Sequence, residues 1–338
     1  MAAGEAPAAA VVRTPAPDVS ARGAAVRDEV ELFGWPEQML GCRHTPIAGA
    51  AAGLVICLSA PFESAVDESR AACLGRRLAR AGVAVQRFHY RGSDQSDGDP
   101  ASLSFASLVD DARRAFDLLR ERTGVERVGF LGARLGALVA ARLGRDHRGA
   151  PVALWEPVLD PRRFVERAAR SRAAGPWPRR DAGDGVSGVP GAPGPPAADP
   201  GNGQRGAPDA VPAAGGRPLD LFDTPLCADL VDGGAVGGLV DELGDRPGAL
   251  LVAQTAPGDG LRPAYEALAG RCRARDVPVD AIVHACDGER DGVVVPAAPP
   301  DALVEATASW LAARLLAPDD ESPPRHARRH ASPDADQT

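Results

Sequence analysis

The chain has 338 residues, enough for one large or two small domains, and a formal net charge of −8. Its 38 basic residues are all arginines interleaved with acids, so it lacks the clustered basic face of a nucleic-acid partner. Six cysteines are scattered without a C-x-x-C pair, which argues against a zinc site or a disulfide framework.

No apolar run approaches the ~20 residues of a membrane span, and no basic-then-apolar leader opens the chain. The expectation is a soluble cytoplasmic protein with no cofactor, no bound metal and no membrane contact.

Residues 1–27 are Ala/Pro-rich without periodicity and are expected to be disordered, with one domain following over 28–316. Glu29–Phe33 and Met39–His44, separated by Gly34-Trp35-Pro36, read as an antiparallel hairpin at a sheet edge. Gly53–Ser59 is a continuous apolar run, the pattern of a strand buried on both faces. Asp67–Ala81 sets Ala71, Leu74, Leu78 and Ala81 on one helical face and stops at Gly82. Val83–Tyr90 is the next strand, with a loop at Arg91–Asp99. Ser107–Arg122 is an amphipathic helix stopped at Thr123-Gly124. Val125–Leu131 is a strand, Gly132–Gly136 a sharp turn, and a helix follows from Leu135. Pro151–Val158 is a further buried strand. This β-α-β-α-β-α-β order implies a doubly wound, mainly parallel sheet flanked by helices.

The regular pattern then lapses. Arg162–Arg172 reads as an arginine-rich helix, and 173–217 as a disordered Gly/Pro-rich insertion, too long for an ordinary connection. Leu219–Leu243 has weak helical character. Gly248–Gln254 (strand), Arg262–Arg275 (helix), Val279–Ala285 (strand) and Pro300–Leu316 (helix) complete the domain before a polar tail at 317–338.

The stretch Gly132-Ala133-Arg134-Leu135-Gly136 has the strand–turn–helix setting and spacing of the G-x-S-x-G nucleophile elbow, with arginine at its centre. A guanidinium stays protonated and has no lone pair with which to attack a carbonyl. The bland alternative is an ordinary turn whose glycines serve close packing.

Four motifs stand in order: Ala60–Arg70, Tyr90-Arg-Gly-Ser-Asp-Gln-Ser-Asp-Gly98, the Gly132–Gly136 turn and Leu154-Trp-Glu-Pro-Val158. Together they resemble the α/β-hydrolases related to serine aminopeptidases. More narrowly they resemble the exosortase-A-system-associated hydrolases and their actinobacterial relatives, in one branch of which the turn carries arginine. The resemblance spans Val30–Arg172 and, more weakly, Gly248–Leu315. It implies the α/β-hydrolase fold, with 159–246 as a degenerate cap region. The chain departs from that family at Ser64 and Ala65, where a pair of acids is expected, at Arg290-Asp291 in place of a Phe-Trp pair, and at His89 in place of an aspartate.

An α/β-hydrolase builds its oxyanion hole from the N–H after the nucleophile and one from the first βα loop. Here those positions are Leu135 and the Ser59–Phe62 turn; Pro61 lacks an N–H, so Phe62 or Ala60 must donate. Strand-end carboxylates line the crevice of such sheets, which nominates Glu156 and Asp259. Glu156 is expected to pair with Arg134 in a bidentate bridge; otherwise it faces solvent beside Pro157. The loop after the last strand holds no histidine. His284 lies inside that strand, where a histidine is more often structural than a base. Ser93 and Ser96 suit turn-making, and Cys57 is buried.

The expectation is therefore a hydrolase-lineage protein with an altered, inactive site that takes a small acyl or anionic ligand through Arg134 and the turn amides. Two alternatives stand beside it: an ester or amide hydrolase using Asp259 or His284, and a non-catalytic partner protein in a biosynthetic or surface-polysaccharide pathway. Nothing in the sequence names the protein partner or the substrate. The reading of 173–217 has a direct check by thermal denaturation. Deleting it should leave Tm nearly unchanged, because it buries little apolar surface; a fall of more than ~4–8 °C would mean that it packs.

Overall fold

The computed structural model describes residues 25–59, 64–164, 219–221, 224–226, 238–244, 247–256, 260–285 and 302–317. The expectations for the insertion, the tail and most of the N-terminal segment lie outside these residues.

An eight-stranded sheet has the order β1-β2-β4-β3-β5-β6-β9-β10. Its strands are β1 (Val26–Phe33), β2 (Met39–Pro46), β3 (Ala52–Cys57), β4 (Val83–Phe88), β5 (Val128–Ala133), β6 (Pro151–Trp155), β9 (Ala249–Ala256) and β10 (Val279–Ala285). Only β2 runs against its neighbours; every other pairing is parallel. The hairpin expected at one edge is β1–β2, starting at Val26, inside the segment expected to be disordered. Every residue of β3, β5 and β6 is buried, as their unbroken apolar runs require of strands covered on both faces.

Helices cover both faces. On one side, α1 (Ser64–Arg80) and α6 (Ala302–Leu315) pack Leu74, Leu78, Leu303 and Leu311 against Ile56, Leu131 and Leu251. On the other, α2 (Phe105–Thr123), α3 (Gly136–Asp146) and α5 (Pro263–Arg273) pack Leu108, Leu119, Leu138 and Leu268 against Val55, Phe130 and Val252. α2 starts two residues earlier than periodicity suggests because Ser104 caps it. The Ser104 hydroxyl accepts from Ser107 N (3.1 Å) while Ser107 Oγ accepts from Ser104 N (2.9 Å).

The weak helical reading of Leu219–Leu243 is corrected. Leu219–Leu221 and Thr224–Leu226 form an antiparallel pair, β7 and β8, and among the described residues of the segment only Leu239–Leu243 is helical (α4). Pro225 would remove a hydrogen bond from a helix interior and clash with the preceding turn, and Leu219 and Leu221 alternate at the two-residue period of a strand.

Strand order reverses at β3, which lies between β4 and β5; sheets of this kind place their ligand crevice at the carboxyl ends of the strands at such a point. The loop leaving β4 is clamped beside it. Arg91 donates to the fully buried Asp111 of α2 from its N (2.9 Å) and Nε (2.5 Å). Ser93 Oγ donates to Tyr90 O and Ser96 Oγ to His89 O, the turn-making roles expected of both serines.

At the far edge, the fully buried His44 is held as one neutral tautomer. Nδ1–H donates to Asp28 Oδ1 (2.7 Å) and Nε2 accepts from Arg87 Nε (3.1 Å). Burial lowers its pKa, and the Asp28 bond only partly opposes this. The unfolded chain therefore takes up a proton near pH 6.5 that the folded chain refuses until lower pH, and stability falls as the pH drops below about 6.5, by at most ~1.4 kcal/mol per unit. Urea unfolding at pH 7.5 and 5.5 should show this loss, and His44→Gln should reduce it.

Candidate functional site

The turn after β5 is strained in the manner of a nucleophile elbow. Arg134 takes φ 52°, a left-handed conformation that costs a non-glycine residue on the order of 1–3 kcal/mol. Close backbone contact on either side holds it there. A Cβ on Gly132 would come within 2.4 Å of Gly136 O and 2.5 Å of Ala137 Cα, and one on Gly136 within 2.2 Å of Leu58 O and 2.3 Å of Cys57 O. The turn is thus wedged against the end of β3, and no side chain larger than hydrogen fits at either glycine. Main-chain bonds extend the rigidity across the strand ends: Arg134 N to Trp155 O (2.9 Å), Val158 N to Arg134 O (3.0 Å) and Glu156 N to Ala253 O (2.8 Å).

Leu135 precedes the first residue of α3, and it is buried. Ala137 N donates to Arg134 O (3.3 Å) and Leu138 N to Leu135 O (3.1 Å), and the helix dipole adds positive potential at this end.

Glu156 follows β6 with φ 43°, a second left-handed non-glycine residue beside the first. The expected bidentate bridge to Arg134 is corrected. Glu156 Oε1 accepts from Thr255 N (3.0 Å), while Arg134 Nη1 donates to the main-chain oxygen of Glu156 (3.5 Å); no ion pair joins the two side chains. The left-handed turn at Glu156 aims its carboxylate along the sheet to the end of β9, and its carbonyl takes the guanidinium instead. The Arg134 guanidinium also lies 5.7 Å from the Phe164 ring centroid, in cation–π range.

Phe62 and Asp259 lie outside the described residues, as does the 286–300 loop after β10. Gln254 stitches across the Asp259 loop, donating to Gly260 O (2.7 Å) and accepting from Arg262 N (2.9 Å). His284 is inside β10, as expected, level with Thr255 of β9. Arg134 and Glu156 directly follow β5 and β6, and His284 is near the end of β10, all on one side of the sheet's switch point. Among the described residues no hydroxyl or thiol is hydrogen-bonded to a histidine side chain. Burial pushes the Cys57 thiol up to about 12, which leaves it protonated and unreactive at neutral pH.

Two features escape the sequence. Tyr265 of α5 is buried behind the site, its hydroxyl donating to Pro157 O (3.2 Å). Burial raises its pKa, and the charges of both Glu156 and Arg134 are close enough to act on it. Glu68, His89 and Asp94 also cluster beyond β4, with ligand atoms within 4.8 Å of one another. They come from a helix, a strand end and a loop, and no short motif joins them.

A family model described as serine aminopeptidase, S33, matches residues 67–179. No curated protein matches the chain. Among solved structures, Est1E from Butyrivibrio proteoclasticus with bound ferulic acid is similar at 16% identity and a TM-score of 0.52, over 85% of this chain and 99% of that one. Carboxyl esterase 2 (TmelEST2) from the fungus Tuber melanosporum is similar at 15% identity and a TM-score of 0.50, over 88% of this chain and 89% of that one. The strand order and these likenesses define the α/β-hydrolase fold. The turn at Gly132–Gly136 joins β5 to α3 within that fold.

The wedge at Gly136 has a sharp consequence for stability. Gly136→Ala forces its methyl into two main-chain oxygens and should cost at least ~2 kcal/mol, a fall of roughly 4–8 °C in Tm. Gly270→Ala, exposed on α5 with nothing within 4 Å of its added carbon, should be neutral or slightly stabilising. Differential scanning calorimetry of both variants checks the contrast.

Proposed function

We propose that this chain is a serine-aminopeptidase-like α/β-hydrolase whose crevice binds a small carboxylate or acyl ligand without hydrolysing it. The observation that carries this reading is Arg134 at the apex of the turn, where a nucleophile would stand. A guanidinium cannot form the acyl-enzyme bond, yet it favours the negative charge that an oxyanion site is built to hold. The positive end of the α3 dipole adds to the same preference. The four ordered motifs support the narrower lineage, the branch of exosortase-A-system-associated relatives with arginine at the turn.

A paired experiment tests the reading. Short-chain carboxylates are titrated calorimetrically into the wild type and Arg134→Ala, and p-nitrophenyl esters are assayed with both. Saturable carboxylate binding is expected, weakened roughly 10–100-fold by Arg134→Ala, the loss of a charge-assisted contact of ~1.5–3 kcal/mol. Ester hydrolysis should stay at the uncatalysed rate. Turnover that survives Arg134→Ala would replace this reading with that of an active hydrolase using another group, and absence of carboxylate binding would remove the ligand.

A further inference from the structure

We infer that Glu68, His89 and Asp94 form a binding site for one divalent transition-metal cation, of the zinc type, at the carboxyl end of β4. Among the described residues they are the one group of three such side chains with ligand atoms mutually within 4.8 Å. His89 follows the last residue of β4, Glu68 lies near the start of α1, and Asp94 is exposed on the β4–α2 loop.

The polar atoms at the centre of this group are poorly used by the protein itself. Glu68 Oε1 and His89 Nδ1 are both buried, and neither has a hydrogen-bond partner. His89 Nε2 lies 2.7 Å from that same Glu68 oxygen, near enough for a hydrogen bond yet not aligned for one. Buried, unaligned donor and acceptor atoms are costly to leave unsatisfied. A shared cation resolves the cost, because two ligands of one ion approach each other without a proton between them. Ligand atoms ~2.0–2.2 Å from an ion, at tetrahedral or octahedral angles, lie roughly 3–3.5 Å apart. The His89–Glu68 separation of 2.7 Å lies just under that range, and no separation in the group exceeds 4.8 Å.

The donor set decides the kind of ion. One imidazole nitrogen with two carboxylates suits zinc and its first-row neighbours, whereas calcium and magnesium prefer shells of oxygen alone. Three protein ligands leave a position for water. The ion would join the start of α1 to the loop leaving β4, one strand away from the crevice. This inference does not depend on what the crevice binds.

The test uses the full chain stripped by a chelator. Zinc is titrated by calorimetry, the bound metal is quantified after dialysis, and cobalt serves as the spectroscopic probe. One equivalent is expected, with a Tm rise of roughly 5–10 °C at a free zinc concentration of ~100 Kd. The cobalt adduct should show no thiolate charge-transfer band. His89→Ala and Asp94→Asn should each weaken binding at least about tenfold, whereas Cys42→Ser and Cys73→Ser should not. Should His89→Ala fail to fold, Asp94→Asn, on an exposed loop, decides alone. Absence of stoichiometric binding, binding unchanged in Asp94→Asn, or binding lost with either cysteine overturns the inference.

Discussion

The site depends on a contact between two pieces of backbone. At Gly132 and Gly136 the chain leaving β5 comes so close to itself and to the end of β3 that there is no room for a methyl group. That approach sets the left-handed conformation of Arg134, the sharp entry into α3 and the position of the helix's first amides. The flanking helices bury the strands that carry the turn. The turn itself is held by close backbone approach and main-chain hydrogen bonds.

Much of this architecture was legible in the residues. Unbroken apolar runs at Gly53–Ser59 and Pro151–Val158 marked buried strands, because a strand covered on both faces has no polar side to show. Glycines at 82 and 124 marked helix ends, and both are left-handed in the structure. Where the reading went astray, a local signal was outweighed by one further away. The leucines of 219–226 fit a helix by count, but Pro225 and the two-residue alternation favour the β7–β8 pair.

The strand ends that carry Arg134 and Glu156 were legible, their contacts less so. Spacing placed Arg134 and Glu156 at neighbouring strand ends, and opposite charge made a bridge between them the simplest guess. The left-handed backbone at Glu156 decides otherwise, turning its carboxylate to Thr255 N and its carbonyl to the guanidinium. No sequence pattern encodes that rotation. Tyr265, behind the site, and the Glu68–His89–Asp94 group are likewise brought in by tertiary structure alone, from segments distant along the chain.

Three main-chain hydrogen bonds tie Arg134, Glu156 and Val158 across the ends of β5, β6 and β9. Since amides and carbonyls make this lattice, it is indifferent to the side chains it carries. Such a floor works as a mould: its contour survives exchange of its contents. The strained arginine at 134 therefore stands on main chain that its neighbours hold in place.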